Sequence, residues 1–140
     1  KYPIAQNAVQ LQQGTVMDLY PTILSVAHVK PPKHYALDGA DLKKLFQGKE
    51  DKKHRDDFLM HFPHGEHRAN YFTTYRKGDW KLIYYYHPET TGIPTWKLYN
   101  LKDDPYEKTE VSAEYPKKTV SMIEQMKDRL KEENALYPEE

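Results

Sequence analysis

A chain of 140 residues has room for one domain, or for one domain and part of another. Its 21 Lys and Arg balance 21 Asp and Glu, so no net field draws in nucleic acid or an anionic membrane, and neither is expected as a partner. Cysteine is absent, which excludes a disulfide framework, a zinc–thiolate site and a cysteine nucleophile within these residues, and no apolar run approaches the roughly 20 residues of a membrane span. The hydrophobic fraction is 38% with 12 Tyr inside it, so the aliphatic supply is thin and many covered positions have to be tyrosines whose hydroxyls need partners. This is the composition of a half-domain that leans on something else. The start, Lys1-Tyr2-Pro3, has no initiator Met or signal peptide and reads as the start of an excised piece.

Residues 1–14 carry Gln6, Asn7, Gln10, Gln12 and Gln13 with little periodicity, which suits a loop or a short strand over 8–11. Asp18 is placed to cap a helix and Pro21 suits its first turn, where a missing N–H costs nothing. Leu19, Ile23, Val26 and Ala27 mark one helical face, and Pro31-Pro32 ends the segment. Residues 33–57 read as a connector: Asp38-Gly39 is a turn signal, 41–46 can make a short helix that Gly48 stops, and the charged run 49–57 is expected in solvent.

The pattern then turns to strands. Four are predicted, over 58–62, 71–76, 80–86 and 96–101, with Lys77-Gly78-Asp79 as a hairpin turn and a Pro- and Gly-bearing loop over 87–95. Short links favour antiparallel pairing. Pro116 opens a closing helix whose apolar stripe is Val120, Ile123, Met126 and Leu130. The expected fold class is therefore α+β: a four-stranded antiparallel sheet with the C-terminal helix packed on one face, preceded by a helix left over from a larger α/β domain.

Five segments, in order, resemble the C-terminal third of the type I, formylglycine-dependent sulfatases of the alkaline-phosphatase-like superfamily, of the bacterial arylsulfatase and N-acetylgalactosamine-6-sulfatase kind. Met17-Asp18-Leu19-Tyr20-Pro21-Thr22-Ile23-Leu24 is similar to the family's "DLYPTLL" helix, although His28 stands where the family usually has Gly. Leu37-Asp38-Gly39-Ala40-Asp41-Leu42 with Leu45-Phe46-Gln47-Gly48 resembles "LDGxSLxPLLxG". Phe62-Pro63-His64 resembles part of "WHYPH"; Arg76 to Ile83 resembles "RxGDWKLI"; Leu98 to Glu107 resembles "LYNLxxDPxE". The resemblance implies residues 1–32 as the tail of the catalytic domain, 33–57 as the connector, and 58–140 as the C-terminal subdomain.

The resemblance also bounds the function. It implies a parent enzyme that hydrolyses sulfate esters of sulfated carbohydrates or aryl sulfates, with calcium and a formylglycine made within a C/S-x-P-S/A-R motif. No such motif occurs here, and the family's catalytic and metal residues lie upstream, so no catalytic, cofactor-binding or metal residue is assigned and the piece alone is expected to be inactive. Its expected partners are the N-terminal sulfatase domain and a sulfated small molecule or glycan. Self-association of the isolated piece and export to the periplasm, cell surface or lysosome are also expected.

His61, His64, Glu66 and His67 form the densest polar cluster. Pro63 breaks the helix that would align them on a metal. His64 and His61 are the candidates to line the substrate pocket, donating to a sugar hydroxyl or sulfate oxygen; the plainer reading has His61 bonded to a backbone carbonyl and His64 in an ordinary loop. Arg76, Lys77 and Lys81 suit a solvated hairpin better than an anion site. Asp103, Asp104 and Glu107 suit a turn better than a cation site. The alternative for the whole chain is a stand-alone carbohydrate-binding or protein-interaction module built on an aromatic sheet.

Overall fold

The computed structural model describes residues 2–63 and 71–138, which divide into two compact units, Lys1–Asp56 and Asp57–Glu140. The first unit contains α1 (Leu19–Val26) and the one-turn helix α2 (Lys43–Phe46), introduced by a 3-10 turn at Val16–Asp18. Polar groups hold it together more than apolar ones. The Thr22 hydroxyl donates to the Asp18 carbonyl at 2.6 Å and accepts the Leu42 N–H at 2.9 Å, tying α1 to the segment before α2. The residues expected as a connector are thus bonded to the helix. Gly39 crosses the chain so closely that a Cβ there would lie 2.1 Å from the Met17 carbonyl oxygen. The glycine serves this close approach as well as the turn.

The Gln-rich start forms no strand. Gln12 instead makes a reciprocal pair with the backbone of Asp51, donating to its carbonyl at 2.9 Å and accepting its N–H at 2.7 Å, while Gln10 donates to the Lys49 carbonyl at 3.2 Å. Side-chain amides here do what a ladder partner would do, which is why the sequence lacks strand alternation. The charged run is also not simply solvated: Asp51 and Arg55 are both turned onto this framework.

The expected apolar stripe of α1 is not covered within this unit. Ile23 is 63% exposed, Leu19 and Tyr20 are exposed, and the residue of α1 that is buried is Thr22. The helix stops at Val26, well before the prolines, because His28 takes a left-handed φ of +55°. The His28 N–H then bonds the Ser25 carbonyl and the Val29 N–H the Leu24 carbonyl, at 3.3 and 2.9 Å. This is a Schellman end with a histidine in the position glycine favours.

The second unit is a meander of β1 (Asp57–Phe62), β2 (Phe72–Lys77), β3 (Trp80–Tyr85) and β4 (Trp96–Asn100), all antiparallel in the order β1-β2-β3-β4. Gly78 opens the β2–β3 turn at φ +57°, as tight hairpins require. A one-turn helix, α3 (Pro88–Thr91), lies in the β3–β4 link, and α4 (Pro116–Glu132) closes the chain. Tyr75, Leu82 and Leu98, from one face of the sheet, meet Met122, Met126 and Leu130 of α4 in a fully buried core, with Leu59, Trp80 and Tyr84 packed around it. The four-stranded sheet under a C-terminal helix is the α+β architecture expected.

The inward face of α4 is rotated from the expected stripe. Val120 is exposed, and Thr119 and Met122 face inward with Met126 and Leu130. Thr119 can be buried because its hydroxyl donates to the Tyr115 carbonyl at 3.0 Å, so no polar atom is stranded. Tyr75 meets the same demand by donating to Asp57 at 3.2 Å. At the open edge of β4, the Leu98 N–H donates to Glu110 and the Val111 N–H donates to the Leu98 carbonyl, both at 2.9 Å. The edge is thereby blunted by the following loop. No helix among the described residues is long and apolar enough to cross a membrane.

Candidate functional site

The predicted site residues sit at one end of the sheet. His61 is the penultimate residue of β1 and pairs with Thr73 of β2. Alternation puts both on the face that carries the core. Thr73 is fully buried, and its hydroxyl lies 2.7 Å from His61 Nδ1 and 2.6 Å from the Tyr86 hydroxyl. The other ring nitrogen, Nε2, lies 2.6 Å from the Leu136 carbonyl oxygen. Both nitrogens of His61 are thus engaged inside the protein.

Aromatic edges surround this chain of bonds. The His61 and Tyr137 rings each stand edge-on to Tyr86 with centroids 5.8 Å apart, and Tyr84 stands edge-on to Tyr86 at 5.3 Å. Edge-to-face contacts of this kind place positive ring edges on negative faces. Burial pushes the Tyr86 hydroxyl up to about 12, against the lowering effect of its bond to Thr73, with Tyr137 and Tyr84 adding to the rise. Tyr86 therefore stays an O–H donor at any physiological pH.

His64, Glu66 and His67 lie outside the described residues. The structure brings His61 together with Thr73, Tyr86 and the 136–137 segment. In the sequence Tyr86 is only the last residue of the predicted 80–86 strand, and nothing marks Leu136 or Tyr137. The nine-residue link between β1 and β2 hides the register that pairs His61 with Thr73, since only a tight turn makes a register predictable.

The basic candidates are occupied locally. Lys81 makes bonds of 2.7 Å to both carboxylate oxygens of Glu107, and Arg76 Nε donates to the Gly78 carbonyl at 3.3 Å. Asp103 accepts from Asn100, and Asp104 accepts the Thr109 N–H at 2.7 Å, as turn-building carboxylates do. Among the described residues no three His, Asp or Glu side chains converge on a point that could hold a metal.

In the first unit, the sequence cast Asp18 as a helix cap. It stands at the N-cap position of α1 but makes no side-chain bond to the amides of that helix; its carboxylate instead closes the capping box of the 3-10 turn by accepting the Thr15 N–H. It is fully buried and accepts the Thr15 N–H at 2.6 Å, the Thr15 hydroxyl at 2.9 Å, the Ala40 N–H at 2.7 Å and the Arg55 guanidinium at 2.8 Å. Burial pushes its acidity down, but these four donors outweigh that and hold the carboxyl below its ordinary range. It is a structural lock between three separate segments. A carboxylate saturated by N–H donors and a guanidinium is a poor calcium ligand.

The family model for "N-sulphoglucosamine sulphohydrolase, C-terminal" matches residues 1–135. A sulfatase of Formosa agariphila is 32% identical over 146 aligned positions, covering 94% of this chain and 25% of that protein. The N-acetylgalactosamine-6-sulfatase of Sus scrofa is 36% identical over 75 residues, covering 50% of this chain and 14% of that protein. Among solved structures, a protein in complex with its substrate D-glucosamine-2-N,6-O-disulfate superposes with a TM-score of 0.64 at 30% identity, over 81% of this chain and 23% of that one. The chain spans a quarter or less of the length of each of these proteins.

Proposed function

The chain belongs to the sulfatase family, as its N-sulphoglucosamine sulphohydrolase C-terminal region, and on that premise we propose that it braces the catalytic domain of an enzyme that hydrolyses sulfate esters. The observation that carries the reading is the family match across residues 1–135, over both units. The uncovered apolar stripe of α1 supports it, because a helix that ends a larger domain would bury Leu19 and Ile23 there. Two of the relatives are named for, or bound to, 6-sulfated amino sugars, so a 6-O-sulfated hexosamine is the substrate class to try first.

A sulfate monoester breaks as charge builds on the bridging oxygen, so cationic and hydrogen-bonding groups must be fixed around it in advance. In this family that chemistry is supplied by calcium and formylglycine. Among the described residues no three His, Asp or Glu side chains converge to hold a metal, and Asp18, Asp104 and Glu107 are held by amide donors or by Arg55 and Lys81, so the reading gives the chemistry to residues upstream of Lys1. What this chain offers is the β1 end, where His61, both of its nitrogens bonded within the chain, would line the leaving-group side with its ring and the adjoining His64 would donate to it.

The parentage is tested by the coding sequence upstream of Lys1. A C/S-x-P-S/A-R motif is expected there. Its absence would remove the sulfatase reading and leave the stand-alone aromatic module. The pocket role is tested in the complete enzyme: His64→Ala is expected to lower kcat/KM by roughly 10–100-fold, the worth of one charge-assisted hydrogen bond. An unchanged kcat/KM would remove His64 from the pocket.

A further inference from the structure

The segment after α4 has a geometry that its side chains alone do not explain. The helix ends in a second Schellman turn, with Asn134 at φ +50° and the Ala135 N–H bonded to the Leu130 carbonyl at 2.9 Å. The chain is reversed there and runs back to the sheet. Ala135 packs against the core, but Leu136 is 81% exposed and Tyr137 is 53% exposed, so side-chain burial does not account for the segment beyond Ala135. What it gives the sheet is the Leu136 carbonyl, on His61 Nε2, and the edge of the Tyr137 ring, on His61 and Tyr86.

A carbonyl oxygen only accepts, so Nε2 must carry a proton. In the neutral ring Nδ1 is then an acceptor. The other bonds then take their direction from it: Thr73, 2.7 Å away, donates its proton to Nδ1, and its Oγ1 is left to accept from the Tyr86 O–H at 2.6 Å. Every donor in the chain meets an acceptor, from Tyr86 through Thr73 and His61 to Leu136.

We propose that residues 135–138 are a strap that fixes the His61 ring as its Nε2–H tautomer, with Thr73 and Tyr86 as the positioning residues that set the opposite nitrogen. The strap ties the segment after α4 to the end of β1, the strand that leads into residues 64–70. Its consequence for turnover rests on the reading that His61 faces the substrate; its effect on the ring does not.

The experiment uses the complete protein, labelled with 15N-histidine, at about two pH units above the ordinary histidine value so that the ring is neutral. His61→Phe identifies the His61 signals by their loss. Wild type is expected to show a protonated Nε2 and an unprotonated Nδ1. Tyr137→Ala, and a truncation after Asn134, are expected to collapse this into an averaged pair of nitrogen signals. Leu136→Ala keeps the carbonyl and is expected to leave the pair intact. An Nδ1–H tautomer in wild type, or an unaltered His61 in both Tyr137→Ala and the truncation, would overturn the strap. A kinetic arm separates the two readings. If truncation and His61→Phe lower kcat/KM by the same factor, the strap and the pocket role both stand. If the ring signals collapse while kcat/KM is unchanged in both, the strap stands and His61 leaves the pocket.

Discussion

The Arg55 guanidinium lies 2.8 Å from the Asp18 carboxylate, 37 residues away in sequence, and Asp18 is wholly buried beneath it. With Thr15 and Ala40, this contact joins the start of α1, the 38–40 turn and the end of the first unit. Asp18→Ala strands two backbone amides at once and takes the carboxylate from Arg55, which keeps the Asp38 carbonyl and the Thr15 hydroxyl. It is expected to cost about 3–5 kcal/mol, whereas Arg55→Met, which leaves Asp18 three other donors, is expected to cost about 1 kcal/mol. Urea unfolding of the two variants checks the ratio; equal costs would mean that the ion pair, and not the amide cage, is the main support.

The same carboxylate sets an acid limit. Its folded pKa lies below the ordinary value of 3.8, so its contribution is fully present above that value and is lost as pH falls through the folded pKa. Asp41 and Glu110 are shifted in the same direction. Stability is expected to fall steadily below about pH 4, and Asp18→Asn is expected to flatten that fall. Thermal melts across the acid range give the comparison, and parallel curves for the two proteins would rule out Asp18 as the titrating group.

His28 occupies a left-handed position at which a side chain is disfavoured. His28→Gly is expected to stabilise the first unit by about 0.5–1 kcal/mol, since both Schellman bonds are kept and the Cβ strain is removed. A lower melting temperature for the variant would show that the histidine ring makes a compensating contact.

Gly39→Ala places a Cβ against the Met17 backbone, which has no flexible end to yield. The turn has to move, and the Ala40 N–H moves away from Asp18 with it. The expected cost exceeds about 2 kcal/mol. Measuring it in the Asp18→Ala background should give a smaller increment, because the two changes break one arrangement.

The second unit was legible in the sequence because its rules are local. The aromatic and β-branched run over 80–86, Gly78 in a tight turn and Pro116 at a helix start each announce their own element. The first unit was less so. Its order comes from Asp18 meeting Arg55, Gln12 meeting Asp51 and Thr22 meeting Leu42, pairs 20 or more residues apart that leave no periodic mark. Asp18 is legible as a capping residue, which it is for the 3-10 turn, but not as a buried lock, because both roles use the same residue type. The rotation of α4 was missed because Thr119 counts as polar until its hydroxyl is seen on the Tyr115 carbonyl. At the site, His61 was picked out by its neighbours in sequence, but its partners Thr73, Tyr86 and Leu136 come from three other segments.

The most direct test of the account is sulfate release by the complete protein that carries this chain, with its formylglycine formed and calcium present, from a 6-O-sulfated hexosamine and from an aryl sulfate. The account predicts inorganic sulfate from at least one of them, and a roughly 10–100-fold loss of kcat/KM when His64 is replaced by Ala. A folded, fully modified enzyme that frees no sulfate from either substrate would contradict it.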